Sequence, residues 1–126
     1  MCLIYISESC SFKVEVVNEE KNGAWKHQSE IFGEYELKSV SGYHGKPHYL
    51  SIFESGKYAI WHDGDGRLTI GLSSNLAKPG TTYGFAYNDN HANYLCPYDP
   101  AYDWQYKKHQ SFEAAGEGLT IRCIGC

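Results

Sequence analysis

The chain has 126 residues, a formal charge of −4, eleven tyrosines, thirteen glycines and five cysteines. That length makes one domain and is enough to bury a core without cross-links. The acidic balance argues against nucleic acid, whose phosphates demand a basic face, and against anionic membrane surfaces; no apolar run reaches the length of a membrane span.

Met1-Cys2-Leu3-Ile4-Tyr5-Ile6 lacks the basic region and cleavage signature of a signal peptide. A secreted protein would then have lost its leader, or this would be a module of a longer chain. Phe12-Lys13-Val14-Glu15-Val16 alternates apolar with polar and predicts a first strand with Cys10, Phe12, Val14 and Val16 facing the core. Asn18 to Gly23 reads as a polar turn. Glu34 to Lys38 alternates again, and Ser41-Gly42 and Gly45-Lys46-Pro47 punctuate a loop. His48 to Glu54 predicts a strand, Ser55-Gly56 a turn, and Tyr58 to His62 the next strand. Asp63-Gly64-Asp65-Gly66 is a hairpin signal, after which Leu68, Ile70 and Leu72 share one face. Lys78-Pro79-Gly80 turns the chain into Thr82 to Tyr87. Asn88 to Tyr102 is irregular, a short element covers Trp104 to His109, and Leu119-Thr120-Ile121-Arg122-Cys123 forms the last strand. The best helical window, Ala101 to Ala115, lacks a consistent apolar stripe. The expected fold is all-β: an antiparallel sandwich or small barrel of about seven or eight short strands.

The parity of the cysteines suggests how the ends are held. Cys10 and Cys123 are predicted to point inward from the first and last strands, which suggests a disulfide between them in an oxidising, extracellular setting. In the chain-entropy picture such a bridge adds about 4–5 kcal/mol. Cys2 with Cys126 is a plausible outer bridge, leaving Cys96 either buried and free or paired elsewhere. Reduced core thiols are the competing reading. The terminal Cys-x-x-Cys has neither a following helix for redox work nor a second ligand pair for zinc.

A run of short features carries a family resemblance. These are Cys10 leading into Phe12-Lys13-Val14, Gly33-Glu34-Tyr35, Gly45-Lys46-Pro47-His48-Tyr49, Tyr58-Ala59-Ile60-Trp61, Ile70-Gly71, Cys96-Pro97, Trp104 and Leu119 to Cys123. In this order the chain resembles a small cysteine-bounded extracellular β module of invertebrate secreted proteins. The resemblance implies a β fold and a secreted setting, and supplies no catalytic residues.

Aromatics beside Asp, Asn and His mark the candidate binding loops. A sugar presents apolar C–H faces and hydroxyl rings, so a site for it combines an aromatic platform with orienting hydrogen-bond partners. Trp61, His62 and Asp63 at one hairpin, with Asp89, Asn90, His91, Asn93, Tyr98, Asp103 and Trp104 in the irregular segment, supply that combination. The same aromatics also suit core and cross-strand packing. Calcium is a lesser candidate at Asp63 and Asp65 or at Asp89, Asn90, Asn93, Asp99 and Asp103, against plain Asx turns. His44 and His48 are spaced like zinc ligands, but Gly45 and Pro47 between them forbid a helix. A thiol hydrolase would use Cys96 with His91 or His109. A ribonuclease would need Arg67 or Arg122 beside Glu34, Glu36, His48 or His62.

The sequence therefore leads to a secreted, non-catalytic recognition domain spanning 1–126, carbohydrate-binding in the manner of a lectin and able to form homo-oligomers. The alternatives are a tyrosine-rich structural or adhesive protein, a small secreted hydrolase or ribonuclease, and a barrel holding a small apolar ligand.

Overall fold

The structure, a computed structural model, describes residues 11–18, 29–43, 46–63, 67–76, 84–88, 96, 104–108, 111–114 and 119–124, with backbone alone at 18, 40–43, 106–108 and 111–114. Among the described residues nine strands make up one sheet: β1 (Lys13–Asn18), β2 (Gly33–Tyr43), β3 (Lys46–Ser51), β4 (Tyr58–His62), β5 (Leu68–Leu72), β6 (Gly84–Asn88), β7 (Trp104–Lys108), β8 (Ser111–Ala114) and β9 (Leu119–Cys123). Their order is β8-β7-β6-β5-β4-β3-β2-β1-β9, antiparallel at every step. The described residues contain no α-helix, only single 3₁₀ turns at Ser29–Ile31, Glu54–Gly56 and Ser73–Asn75.

Chain connectivity requires this sheet to curl. Laid flat, its outer strands β8 and β9 would stand about 38 Å apart, at ~4.8 Å per strand. Yet Ala114 ends β8 and Leu119 begins β9, and five extended peptide steps reach at most about 18 Å. The core agrees. Val14 and Val16 of β1, Tyr35, Tyr49, Ile60, Leu68, Ile70, Ala86, Trp104, and Leu119 and Ile121 of β9 share one apolar cluster. No second layer covers that face among the described residues, so the sheet covers itself as a nearly closed barrel.

The first and last strands lie side by side as their alternation suggests, with Val14 opposite Cys123 and Val16 opposite Ile121. Four details depart from the sequence reading. Phe12 was expected inside but is 81% exposed. The strand starts only at Lys13, and Ser11 Oγ takes the Lys13 N–H at 3.4 Å, which ends the alternation there. β2 runs on through Ser41-Gly42, kept in the sheet by register shifts against β3. β3 stops at Ser51, because Glu54, Ser55 and Gly56 all adopt positive φ (51°, 52° and 76°) and reverse the chain into β4. The weak helical window is instead the β7–β8 hairpin, which with the β9 edge brings the strands to nine.

Two buried tyrosine hydroxyls fasten the lining to the chain around it. Tyr35 Oη donates to the Ile31 carbonyl at 2.6 Å, and Tyr49 Oη donates to the Ser11 carbonyl at 2.6 Å. Strands β4 and β5 are buried on both faces: Tyr58, Ile60 and His62 line the interior, and Ala59 and Trp61 are equally covered on the other side. Two-sided burial explains why β4 carries no exposed polar position.

Candidate binding site

One end of the β4–β7 ladder gathers the chemistry. The β4–β5 connection is closed by Asp63, whose N–H donates to the Arg67 carbonyl at 2.9 Å and whose Oδ1 accepts the Arg67 N–H at 3.1 Å. This is the Asx-closed hairpin that the Asp-Gly sequence calls for. Register then sets two rows across the strands. On the inner face His62 opposes Leu68, Leu68 opposes Asn88, and Asn88 opposes Trp104. On the outer face Trp61 opposes Thr69, Thr69 opposes Tyr87, and Tyr87 opposes Gln105.

The outer row is polar and tightly built. Tyr87 Oη donates to Gln105 Oε1 at 3.0 Å, and the Arg67 guanidinium lies 5.6 Å above the Tyr87 ring centre, within cation–π range. Gly84 is required beside it, since a Cβ there would sit 2.5 Å from Thr69 Cγ2. Within the row, Trp61 Nε1 and Thr69 Oγ1 are buried and have no hydrogen-bond partner among the described residues; on the inner row Trp104 Nε1 is in the same condition. Each such group forfeits roughly 1–3 kcal/mol of desolvation.

Of the residues singled out from sequence, Trp61, His62, Asp63 and Trp104 come together at this end. All four are buried, at 1–3% exposure, and the two tryptophans lie on opposite faces of the sheet, so neither is an open stacking platform. Asp89, Asn90, His91, Asn93, Tyr98 and Asp103 lie outside the described residues, within the segment that joins Asn88 to Trp104. Thr69 and Gln105 were missed. The signal that could have found Thr69 is its outer-face company of Ala59, Trp61 and Gly71, none of them charged.

Arg67, bonded to Asp63, shares this end with His62; the other hydrolytic candidates are dispersed. Arg122 binds Glu15 Oε1 at 2.7 Å on the outer face, and Glu36 pairs with Lys38 at 2.8 Å. His48 stands three strands from Arg122 in the sheet order, roughly 14 Å across the ladder. Cys96 is buried in the core cluster, and its sulfur, like that of Cys123, is disulfide-bonded, so it holds no thiolate to attack with. The expected partners Cys2, Cys10 and Cys126, and His44 of the zinc reading, lie outside the described residues. Among the described residues no three His, Cys, Asp or Glu side chains cluster as a metal site would require. No family model, curated protein or solved structure matches this chain.

Proposed function

We propose that the chain is a secreted, non-catalytic recognition domain that binds carbohydrate at the barrel end carrying the β4–β5 and β6–β7 connections. The observation that carries this reading is the convergence of Trp61, His62, Asp63, Arg67, Tyr87 and Trp104 on that end. The two-sided burial of β4 and β5 makes a rigid base, and sites held on rigid elements bind more sharply than sites on loops alone. Arg67 and Tyr87, partly exposed, form the rim. The segment between Asn88 and Trp104 contributes Asp89, Asn90, His91, Asn93, Tyr98 and Asp103, side chains suited to reading hydroxyl orientation.

Secretion and disulfide closure belong to the same reading. The adjacency of β1 and β9 supports a Cys10–Cys123 bridge, and because Cys96 is itself disulfide-bonded, the outer Cys2–Cys126 pair gives way to a bridge from Cys96 to one of those two. A glycan array, run with and without calcium, tests the function. The expected result is saturable binding to a subset of glycans, reduced at least tenfold by Tyr87→Ala and by Arg67→Ala in protein that keeps its far-ultraviolet spectrum. A folded protein that retains no glycan under either condition refutes it. Phe12, 81% exposed, favours a second reading as a structural or adhesive protein that self-associates. Sedimentation velocity distinguishes the two: that reading expects concentration-dependent assembly abolished by Phe12→Ser.

A further inference from the structure

The strand directions bring one more aromatic to the proposed sugar site. Neighbouring strands alternate in direction, so β1, β3, β5 and β7 begin at the end of the barrel where β2, β4 and β6 finish. Lys13, which opens β1, therefore stands at the same end as His62, Leu68, Asn88 and Trp104. Phe12, directly before it, is 81% exposed. The Leu37 N–H donates to the Phe12 carbonyl, and Leu37 opposes Tyr49, Tyr49 opposes Ile60 and Ile60 opposes Ile70. Phe12 is thus level with the residue two places before His62 on β4 and two places after Leu68 on β5, an offset of roughly 7 Å along the strands.

The exposed ring is mounted on a fixed backbone. The Phe12 carbonyl accepts the Leu37 N–H at 2.7 Å, and the Ser11 carbonyl before it accepts the buried Tyr49 hydroxyl at 2.6 Å. Ser11 Oγ takes the Lys13 N–H at 3.4 Å and lies 3.3 Å from the Ile124 carbonyl. Phe12 is therefore tied to neighbouring strands on both sides, and an aromatic held this way loses little conformational freedom when a ligand covers it. The apolar C–H face of a sugar needs such a platform. Trp61 and Trp104 cannot serve, because each is 1% exposed. Tyr87 has the Arg67 guanidinium over one face. Among the described side chains Phe12 is the one exposed aromatic.

We infer that Phe12 is the stacking platform of this site, and that its ligand is an oligosaccharide lying across the barrel mouth, with one ring on Phe12 and another at Arg67 and Tyr87. The inference rests on the carbohydrate reading of that end. β1 and β5 are four strand spacings apart, roughly 19 Å along the sheet. Nine strands at that spacing close into a ring about 14 Å or more across, on which β1 and β5 stand nearly opposite one another. A single sugar ring cannot reach both places, whereas a chain of several can. Each contact is shallow alone, and carrying both on one chain raises affinity through effective concentration. A lone phenylalanine offers about 150–250 Å², far below the roughly 1,000 Å² of a specific protein interface, which weighs for a glycan over a second copy.

A glycan array printed with one- to six-residue members of each sugar series tests this, read with wild type, Phe12→Ala and Phe12→Trp, each checked for folding by its far-ultraviolet spectrum. The expected result is retention of members of roughly three residues or more and not of the matching monosaccharides. Binding is expected to fall about tenfold in Phe12→Ala and to be kept in Phe12→Trp. Glycan binding that Phe12→Ala leaves unchanged, or that is as tight for monosaccharides, overturns the inference and leaves the carbohydrate reading standing. A folded protein that retains no glycan at all overturns both. Iodide quenching of Phe12→Trp, taken as the difference from wild type, identifies what covers this position. The added indole is expected to be quenched in the free protein and shielded by a retained oligosaccharide. An indole already shielded in dilute, monomeric protein overturns the inference in favour of a segment of this chain. One shielded only where sedimentation velocity shows assembly overturns it in favour of a second copy.

Discussion

Replacing Thr69 by valine should stabilise this protein. Thr69 is fully buried in β5, and its Oγ1 has no hydrogen-bond partner among the described residues. Valine has nearly the same shape and suits a strand equally well, and it keeps the Cγ2 methyl that fills the space above Gly84. Removing an unsatisfied hydroxyl returns roughly 1–3 kcal/mol of desolvation, and the added methyl buries about 0.8 kcal/mol more apolar surface. Residual crowding takes some of this back, leaving an expected gain of about 1–2 kcal/mol and a rise in Tm of roughly 3–8 °C for a domain of this size. Urea unfolding of wild type, Thr69→Val and Thr69→Ser measures it, with Thr69→Ser retaining the hydroxyl and showing no gain. A Thr69→Val protein less stable than wild type by more than about 0.5 kcal/mol would refute the reasoning, because the hydroxyl would then have a partner. If ligand uses that hydroxyl, the same variant gains stability and loses glycan affinity, the trade-off expected where a site is built at a cost to the fold.

Three further outcomes are expected. Gly33→Ala combines a φ of +146° with a Cβ placed 2.6 Å from Phe53 Cε1, and should cost about 3 kcal/mol or more in urea unfolding; Phe53→Leu should restore only the steric part. Tyr35→Phe keeps the edge-on contact with Phe53, at 5.4 Å between ring centres, but orphans the Ile31 carbonyl. It should lose roughly 1–3 kcal/mol. Burial and the nearby Lys38 charge hold the His48 imidazolium below the ordinary histidine range. The unfolded chain thus binds the proton more readily, so this contribution to stability is complete above the ordinary value and falls as the pH drops through it towards the lowered one. Urea midpoints at pH 7.5 and 5.0 should differ less in His48→Gln than in wild type, and an unchanged difference would assign the pH dependence to other groups.

Much of the fold was legible because its strands carry period-two signals. Val14 and Val16, and Leu119 and Ile121, alternate with charged or polar neighbours, and these strands are adjacent. The Asp63 hairpin followed from Asx chemistry alone. What escaped was decided by tertiary context. Ser41-Gly42 is locally a loop signal, yet partners across β3 hold it in the sheet. Trp104 to Ala114 has no clean alternation, and its hairpin is set by pairing with β6. At the candidate site the sequence singled out residues that share one end of the sheet but misread their depth. Trp61 and Trp104 looked like platforms because no local pattern reveals that β4 is covered on both faces.

The pairing of β1 with β9 also bears on how the molecule is made. Glu15 and Arg122, bonded across that pair, stand 107 positions apart in the chain. From β2 to β8 each strand can dock on its predecessor as it emerges from the ribosome, a succession of local hairpins with little chain to gather in. β1 must wait with one side open until nearly the whole polypeptide exists. Translation arrested before Leu119 would therefore release a product with a bare β1 flank, the form most prone to aggregate and the one a chaperone would be expected to capture.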